Sequence, residues 1–452
     1  MGKLFGTNGV RGVANRDMNP ELALKLGQSL GTFLPEGARV LIATDTRTSN
    51  EMLASALAAG LLSAGARVTL AGVATTPALQ YAVKTRGFDA GAVVTASHNP
   101  PEFNGIKFID GDGTEFPATK EDAVEKVYFD NAFRQVAWSA LSGVGRLEGV
   151  NEAYVDGILA KVDVAAIRAR KFKIVLDTSN GAGGLTAPYL LTKLGCHVVT
   201  MNAQPDGTFP GHDSEPTPDN VKDLVKSVAA FGADLGVVQD GDADRCVFVD
   251  EKGHYQYGDR TLAIIAGQIV RAKRGGTVVT PVSSSTAIED YVKANGGKVV
   301  YTRVGAPVVA RKMIEIKADF GGEENGGLIF PEFQYCRDAS MALAKVLEII
   351  AKTSKPLSAL AAEVPAYALH KAKVTCPDAK KAAVLAAFAK AHAAGKVDTT
   401  DGVKVYTSEG WVLVRPSGTE PIVRVYAEAK TAEAASALAE KSLKEIQALV
   451  NA

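Results

Sequence analysis

The strongest constraint on this chain is a repeated switch of hydrophobic period. Between residues 39 and 94, short and mostly apolar runs (40–43, 67–70 and 90–94) alternate with stretches whose apolar residues recur at helical spacing (51–64 and 77–85). Runs that are apolar on both faces predict strands covered on both sides, and the intervening helices must do the covering. The pattern therefore predicts a parallel sheet with helices packed on it. Alternation resumes at Lys173, with strands 174–176 and 197–200, a helix beginning near Asn220, and apolar stretches 235–238 and 246–249. A third round predicts helices 261–272 and 286–295, strands 277–280, 298–301 and 318–320, and helix 339–351. From Tyr367 the strands cluster instead: helix 380–392, strands 403–406, 411–414 and 423–427, then helix 432–450. This predicts three consecutive mixed or parallel α/β sandwich domains, residues 1–150, 151–252 and 253–366, followed by a small α+β domain, 367–452. A chain of 452 residues agrees with several cores, because a single core stops growing well short of that length.

Composition narrows the function. Lys plus Arg and Asp plus Glu number 50 each, with no long charge run, which argues against a nucleic-acid or polybasic membrane surface. Cys196, Cys246, Cys336 and Cys376 are widely spaced and form no zinc or disulfide framework, so a reducing cytoplasm is expected. No charged-then-apolar leader opens the chain and no run of about 18 apolar residues occurs, so membrane spanning is not expected either.

Four loops carry the chemistry. T-A-S-H-N-P, residues 95–100, follows the apolar run 90–94, and Lys107 lies shortly after it. A hydroxyl at a strand's carboxyl end, beside an imidazole and within reach of an amine, is a candidate nucleophile, where ligands of such sheets collect. D-G-D-A-D-R, residues 240–245, places Asp240, Asp242 and Asp244 in one tight turn. Close ionised pairs there would repel by about 4 kcal/mol each at an effective dielectric near 20, and a hard divalent ion, magnesium above all, removes that cost. An EF-hand is the first rival, but Arg245 stands where that loop requires glycine. An aspartyl-phosphate phosphatase, with Asp240 attacking and Asp242 as acid, is the second. G-G-E-E-N-G-G, residues 321–327, offers Glu323 and Asn325 to a ligand with several hydroxyls. R-P-S-G-T-E-P, residues 415–421, combines Arg415, Ser417, Gly418 and Thr419 into an anion nest. Near the start, G-T-N-G-V-R brings Arg11 to a small-residue loop suited to phosphate. D-T-S-N-G-A-G-G, residues 177–184, reads instead as a structural turn. Taken singly, each of these stretches is also compatible with an ordinary polar turn.

In this order and spacing, the four loops and G-T-N-G-V-R resemble the active-site loops of the α-D-phosphohexomutase family, nearest its archaeal phosphoglucosamine mutase and phosphomannomutase/phosphoglucomutase branch. The resemblance spans the whole chain and implies four domains around a central cleft. It implies that Ser97 is a phosphoserine, and that one Mg2+ per active site is held by Asp240, Asp242, Asp244 and the group on Ser97. Arg245, Arg11, His98 and Lys107 would surround the transfer site, with Lys107 as proton shuttle. Glu323 and Asn325 would bind sugar hydroxyls, Arg303 would approach the ligand, and Arg415, Ser417, Gly418 and Thr419 would hold the non-reacting phosphate. The implied activity interconverts 6-phospho and 1-phospho sugars through a hexose 1,6-bisphosphate, which also serves as activator. Glucosamine 6-phosphate is the first expected substrate and the mannose and glucose phosphates the alternative. A phosphatase or a non-catalytic sugar-phosphate binding protein is more remote. A homodimer is common among such relatives, and a hinge is expected near 364–368. Two departures touch substrate choice: V-G-A-P at 304–307 lacks a polar residue found in many relatives, and Asn325 and Gly327 replace the Ser and His of a Ser-Gly-His ending.

Overall fold

The computed structural model describes residues 4–6, 8–417 and 421–451. Its strands form four sheets in chain order. The first runs Val10–Val13, Phe103–Asp110, Ala90–Val94, Arg39–Thr44, Arg67–Val73 and Gly145–Arg146 across its width. Its centre is parallel as expected, but Phe103–Asp110 and Val10–Val13 run antiparallel to their neighbours. Residues 103–105, expected as part of a turn, thus begin a strand, and Arg11 sits on an edge strand. Asn104, Gly105 and Lys107 break the apolar pattern that would have announced the first of these, yet all three are buried.

The second sheet pairs Lys173–Asp177 in parallel with His197–Met201 and Leu235–Gln239, then adds Cys246–Asp250 antiparallel. The third pairs Thr277–Pro281 in parallel with Lys298–Thr302 and Phe320–Gly322, then adds Leu328–Phe330 antiparallel. The fourth sheet is antiparallel throughout. A common plan emerges in the first three units: a parallel core strand turns back through a hairpin into an antiparallel neighbour. In each unit one functional motif is that hairpin connection, residues 95–102, 240–245 and 323–327. In the last unit, Ser417 likewise begins the connection between Gly410–Pro416 and Ile422–Ala429. The strands that launch the first two turns, Ala90–Val94 and Leu235–Gln239, are buried at every residue. Such strands do not fray, so the turns they carry are held from a rigid base.

One apolar core runs without a break from Leu41 in the first unit to Val364 in the third. The fourth unit has its own core, from Val374 to Val450. It meets the third through a small cluster of Val282, Trp411 and Leu413. Lys404 is buried in that contact, with its Nζ 2.8 Å from Val282 O and 3.8 Å from the Trp411 ring centroid.

Burial pushes the Lys404 pKa down to about 8, from 10.5 for an ordinary lysine. Between those values the unfolded chain holds a proton that the folded chain lacks, so stability rises as pH climbs through that window, and the penalty is complete below it. Denaturant unfolding followed by Trp411 emission in a Trp138→Phe background is expected to show that rise, and Lys404→Met is expected to abolish it.

Candidate active site

Ser97 sits on its turn with φ 51°, in the left-handed region that a serine rarely occupies. Three buried residues of the first unit hold it there. Thr95 Oγ1 accepts from Ser97 N at 2.8 Å and donates to Asp45 Oδ2 at 2.6 Å. Arg47, fixed by Asp45 at 3.1 Å, donates to the carbonyls of Ser97, Asn99, Pro100 and Phe103. One guanidinium thus holds three loop carbonyls and that of Phe103 at the start of the next strand. Neither Asp45 nor Arg47 was singled out from sequence, although the polar run D-T-R-T-S-N directly after a strand was visible.

The Ser97 hydroxyl donates to Asp240 Oδ2 at 2.7 Å, across 143 residues of chain. Single oxygens of Asp240, Asp242 and Asp244 lie within 4.8 Å of one another, and all three residues are buried. Lys107 Nζ approaches Asp242 Oδ2 at 2.9 Å and Asp244 Oδ2 at 3.3 Å. Arg245 donates from its backbone N and its Nε to the two oxygens of Asp240, both at 3.1 Å. Thr76, at the start of helix Thr76–Arg86, donates to Asp242 Oδ2 at 2.6 Å. After these contacts, Asp242 Oδ1 and Asp244 Oδ1 remain buried with no hydrogen-bond partner among the described residues. Buried carboxylate oxygens without donors are costly, and a divalent cation is the group that fits them.

Electrostatics follow from burial and charge. Burial pushes the Asp240 carboxyl up to about 7, opposed by Arg245 and reinforced by Asp242 and Asp244. Burial would raise Asp242 too, but Lys107 and Thr76 hold it well below the usual carboxylate range. For Lys107 the cost of burial is outweighed by Asp242 and Asp244, so it stands as a cation. Burial, Arg245 and Arg11 push His98 far down, so its 3.3 Å approach to Glu215 is a neutral imidazole contact and not an ion pair.

Above this floor lies a cavity of about 760 Å³ to which all four units contribute. Arg11, Ser97, His98, Arg245, Glu323, Asn325, Arg415 and Ser417 all reach it, as expected. Lys107 and the three aspartates lie beneath, almost wholly buried. Arg303 is exposed and is not among the residues that line the cavity. Gly418 and Thr419 lie outside the described residues. V-G-A-P is not silent, because its backbone supplies the polar contacts: Val304 N donates to Asp401 and Gly305 N to Glu323. Asp401 also accepts from Arg415 at 2.8 Å, so the residue that receives Val304 N from the third unit also orients a cavity arginine of the fourth.

Three further residues were missed. Glu215, on the proline-rich loop of the second unit, receives Arg245 at 3.2 and 3.3 Å. Arg424 lines the cavity beside Arg415. Arg337 bridges Glu323 and Asp244. Each is a lone charged residue outside any motif, so no local pattern could mark it.

Residues 2–135, 152–253 and 257–367 match domains I, II and III of phosphoglucomutase/phosphomannomutase, and residues 372–445 match its C-terminal domain. A phosphoglucomutase/phosphomannomutase of Thermococcus kodakarensis is 47% identical over 98% of each chain. A phosphoglucosamine/phosphogalactosamine mutase of Sulfurisphaera tokodaii is 41% identical over 97% of this chain and 98% of its own. Among solved structures, a phosphoglucomutase/phosphomannomutase family protein from Burkholderia thailandensis matches with a TM-score of 0.87 at 28% identity, covering 99% of this chain and 97% of that one. The chain belongs to the phosphoglucomutase/phosphomannomutase family, the α-D-phosphohexomutases. No helix among its described residues is long and apolar enough to cross a membrane.

Because Arg47 is the partner of a buried carboxylate and of four carbonyls, Arg47→Met is expected to destabilise the protein by about 3–5 kcal/mol. Denaturant unfolding should show the loss, with Asp45→Asn in the same chain recovering part of it.

Proposed function

We propose that this chain is a phosphohexose mutase that interconverts 6-phospho and 1-phospho sugars through phosphorylated Ser97 and a hexose 1,6-bisphosphate. The observation that carries the reading is the meeting, in one cleft, of the Ser97 hydroxyl, a buried three-carboxylate cluster, a hydroxyl-binding loop and an arginine pair on a separate unit. A phosphatase using Asp240 as nucleophile is disfavoured, because both Asp240 oxygens already accept from Arg245 and Ser97. An EF-hand is disfavoured by its flanks, which are strands.

In the proposed reaction the bond between phosphorus and Ser97 Oγ breaks as one forms to a sugar hydroxyl, whose proton ends on the seryl oxygen. A magnesium ion held by Asp240, Asp242 and Asp244 would supply neutralisation of the charge on the transferring group. Arg245, Arg11 and Lys107 add fixed positive charge around it, which is the larger part of phosphoryl-transfer catalysis. Lys107, as a cation, starts with a proton to give, so proton shuttling through it begins with donation. Glu323 and Asn325 orient the sugar through its hydroxyls. Arg415, Ser417 and Arg424, completed by Gly418 and Thr419, hold the distant phosphate. After the first transfer the bisphosphate turns over within the cleft and returns its other phosphoryl group to Ser97. The separate core of the fourth unit, joined near residues 364–368, suits that reorientation by a hinge motion.

Glucosamine 6-phosphate is the first substrate to test and the mannose and glucose 6-phosphates the second, since relatives of both kinds align along nearly the whole chain. A cytoplasmic homodimer is the proposed form. Its oligomeric state is read by sedimentation, and its four free thiols agree with a reducing compartment.

Ser97→Ala is expected to lower isomerisation at least about 10³-fold, measured on the three 6-phosphates with magnesium and a trace of hexose bisphosphate. Undiminished isomerisation in that variant would sink the phosphoserine. Chelation of magnesium should silence the wild type reversibly, and Asp242→Asn should abolish the rescue. Stoichiometric release of inorganic phosphate would point to the phosphatase instead.

A further inference from the structure

Arg337 ends the strand Gln334–Arg337 of the third unit, and its guanidinium enters the cleft between the hydroxyl-binding loop and the acidic loop. It is 8% exposed. Nη1 donates to Glu323 Oε2 at 2.9 Å, and Nη2 donates to Asp244 Oδ2. The amide oxygen of Asn8, with that amide turned to face the cation, accepts from Nη2 at 2.9 Å. The other Glu323 oxygen accepts from Gly305 N at 3.1 Å. Glu323 is therefore fixed in one orientation by a donor on each oxygen, and a guanidinium that it shares with Asp244 stands at hydrogen-bond distance.

The sequence makes room for this arrangement at Gly327. A Cβ there would lie 2.2 Å from Arg337 Cδ, and Gly327 is not among the glycines with positive φ. Its backbone conformation would accept a side chain, so the space is needed for the arginine stem. A glycine retained for an arginine, and an arginine aimed at the sugar-loop carboxylate, form one device.

An unpaired carboxylate in a sugar site distinguishes an ammonium from a hydroxyl by charge. A carboxylate already paired with a guanidinium still accepts hydrogen bonds through its remaining lone pairs but attracts a second cation far less. We infer that Arg337 is a specificity-determining residue: by pairing with Glu323 it turns the sugar loop into a neutral hydroxyl reader, so that hexose and aminohexose 6-phosphates enter the cleft on similar terms. This rests on the mutase reading and deepens it. The same guanidinium also sets the spacing between Glu323 and Asp244, so its loss slows turnover of every sugar in common. The ratio between sugars is what separates the two effects.

The test compares kcat/KM for glucosamine 6-phosphate and glucose 6-phosphate in the magnesium-loaded protein. In the wild type the two are expected within about tenfold of each other. Arg337→Met is expected to raise the glucosamine-to-glucose ratio on the order of tenfold, chiefly through KM, with Arg337→Lys returning it toward the wild-type value. Adding Glu323→Gln to Arg337→Met should erase the rise. Gly327→Ala pushes the guanidinium stem aside without removing any charge, and should move the ratio in the same direction by less. An unchanged ratio in Arg337→Met with wild-type melting overturns the inference. If that variant does not fold, an unchanged ratio in Gly327→Ala overturns it. A wild type inert on every hexose phosphate overturns the mutase reading and this inference with it, a result distinct from active enzyme with a flat ratio.

Discussion

Everything at the centre of this protein depends on keeping three aspartates buried together. Asp240, Asp242 and Asp244 are at most 1% exposed. Unopposed negative charges at that depth would cost more than a marginally stable domain can offset. The opposing charge comes from three different units: Lys107 from the first, Arg245 from the second and Arg337 from the third. The acidic loop is thus a joint as well as a site. Removing Lys107 or Arg337 weakens the docking of the first or the third unit on the second, and the shared core from Leu41 to Val364 is the apolar counterpart of that joint.

The architecture reaches this meeting by repetition. Three units end a parallel strand in a hairpin, and each hairpin delivers one function to the cleft: the seryl oxygen, the carboxylates, or the hydroxyl-reading pair. Turns between rigid buried strands can hold strained backbone such as that of Ser97 because both flanks are fixed. The fourth unit brings Arg415, Ser417 and Arg424 to the cavity from a core of its own. Beside the small Val282, Trp411 and Leu413 cluster, its polar ties to the third unit include Val304 N to Asp401, Thr286 N to Glu428, Trp411 Nε1 to Thr286 Oγ1 and Lys404 Nζ to Val282 O. Polar ties that water can replace suit a part that opens and closes around its ligand.

The cleft also brings the acidic loop and the 321–327 loop within reach of one side chain. Arg337 touches both, so one guanidinium is shared between Asp244 of the acidic loop and Glu323 of the 321–327 loop. Gly327 is the visible sign of that economy in the sequence, although it looks there like one more turn glycine.

The sequence by itself determined which turns matter and in what order the units come. T-A-S-H-N-P, D-G-D-A-D-R, G-G-E-E-N-G-G and R-P-S-G-T-E-P are contiguous, and a contiguous motif carries its own geometry through local turn chemistry and the strands that flank it. The α/β alternation was legible for the same reason, since hydrophobic period is a local property. Only the tertiary structure decided which distant charges meet. Nothing near Asp45 and Arg47 in the chain announces that they brace the Ser97 turn, and nothing near Glu215, Arg337 or Arg424 announces the cleft. The strand that carries Lys107 was hidden because its polar and glycine residues are buried by neighbours far along the chain, while Arg303, beside the right loop in sequence, turned outward to solvent. Pairing of buried charges is set by where packing places them, and packing is a property of the whole fold.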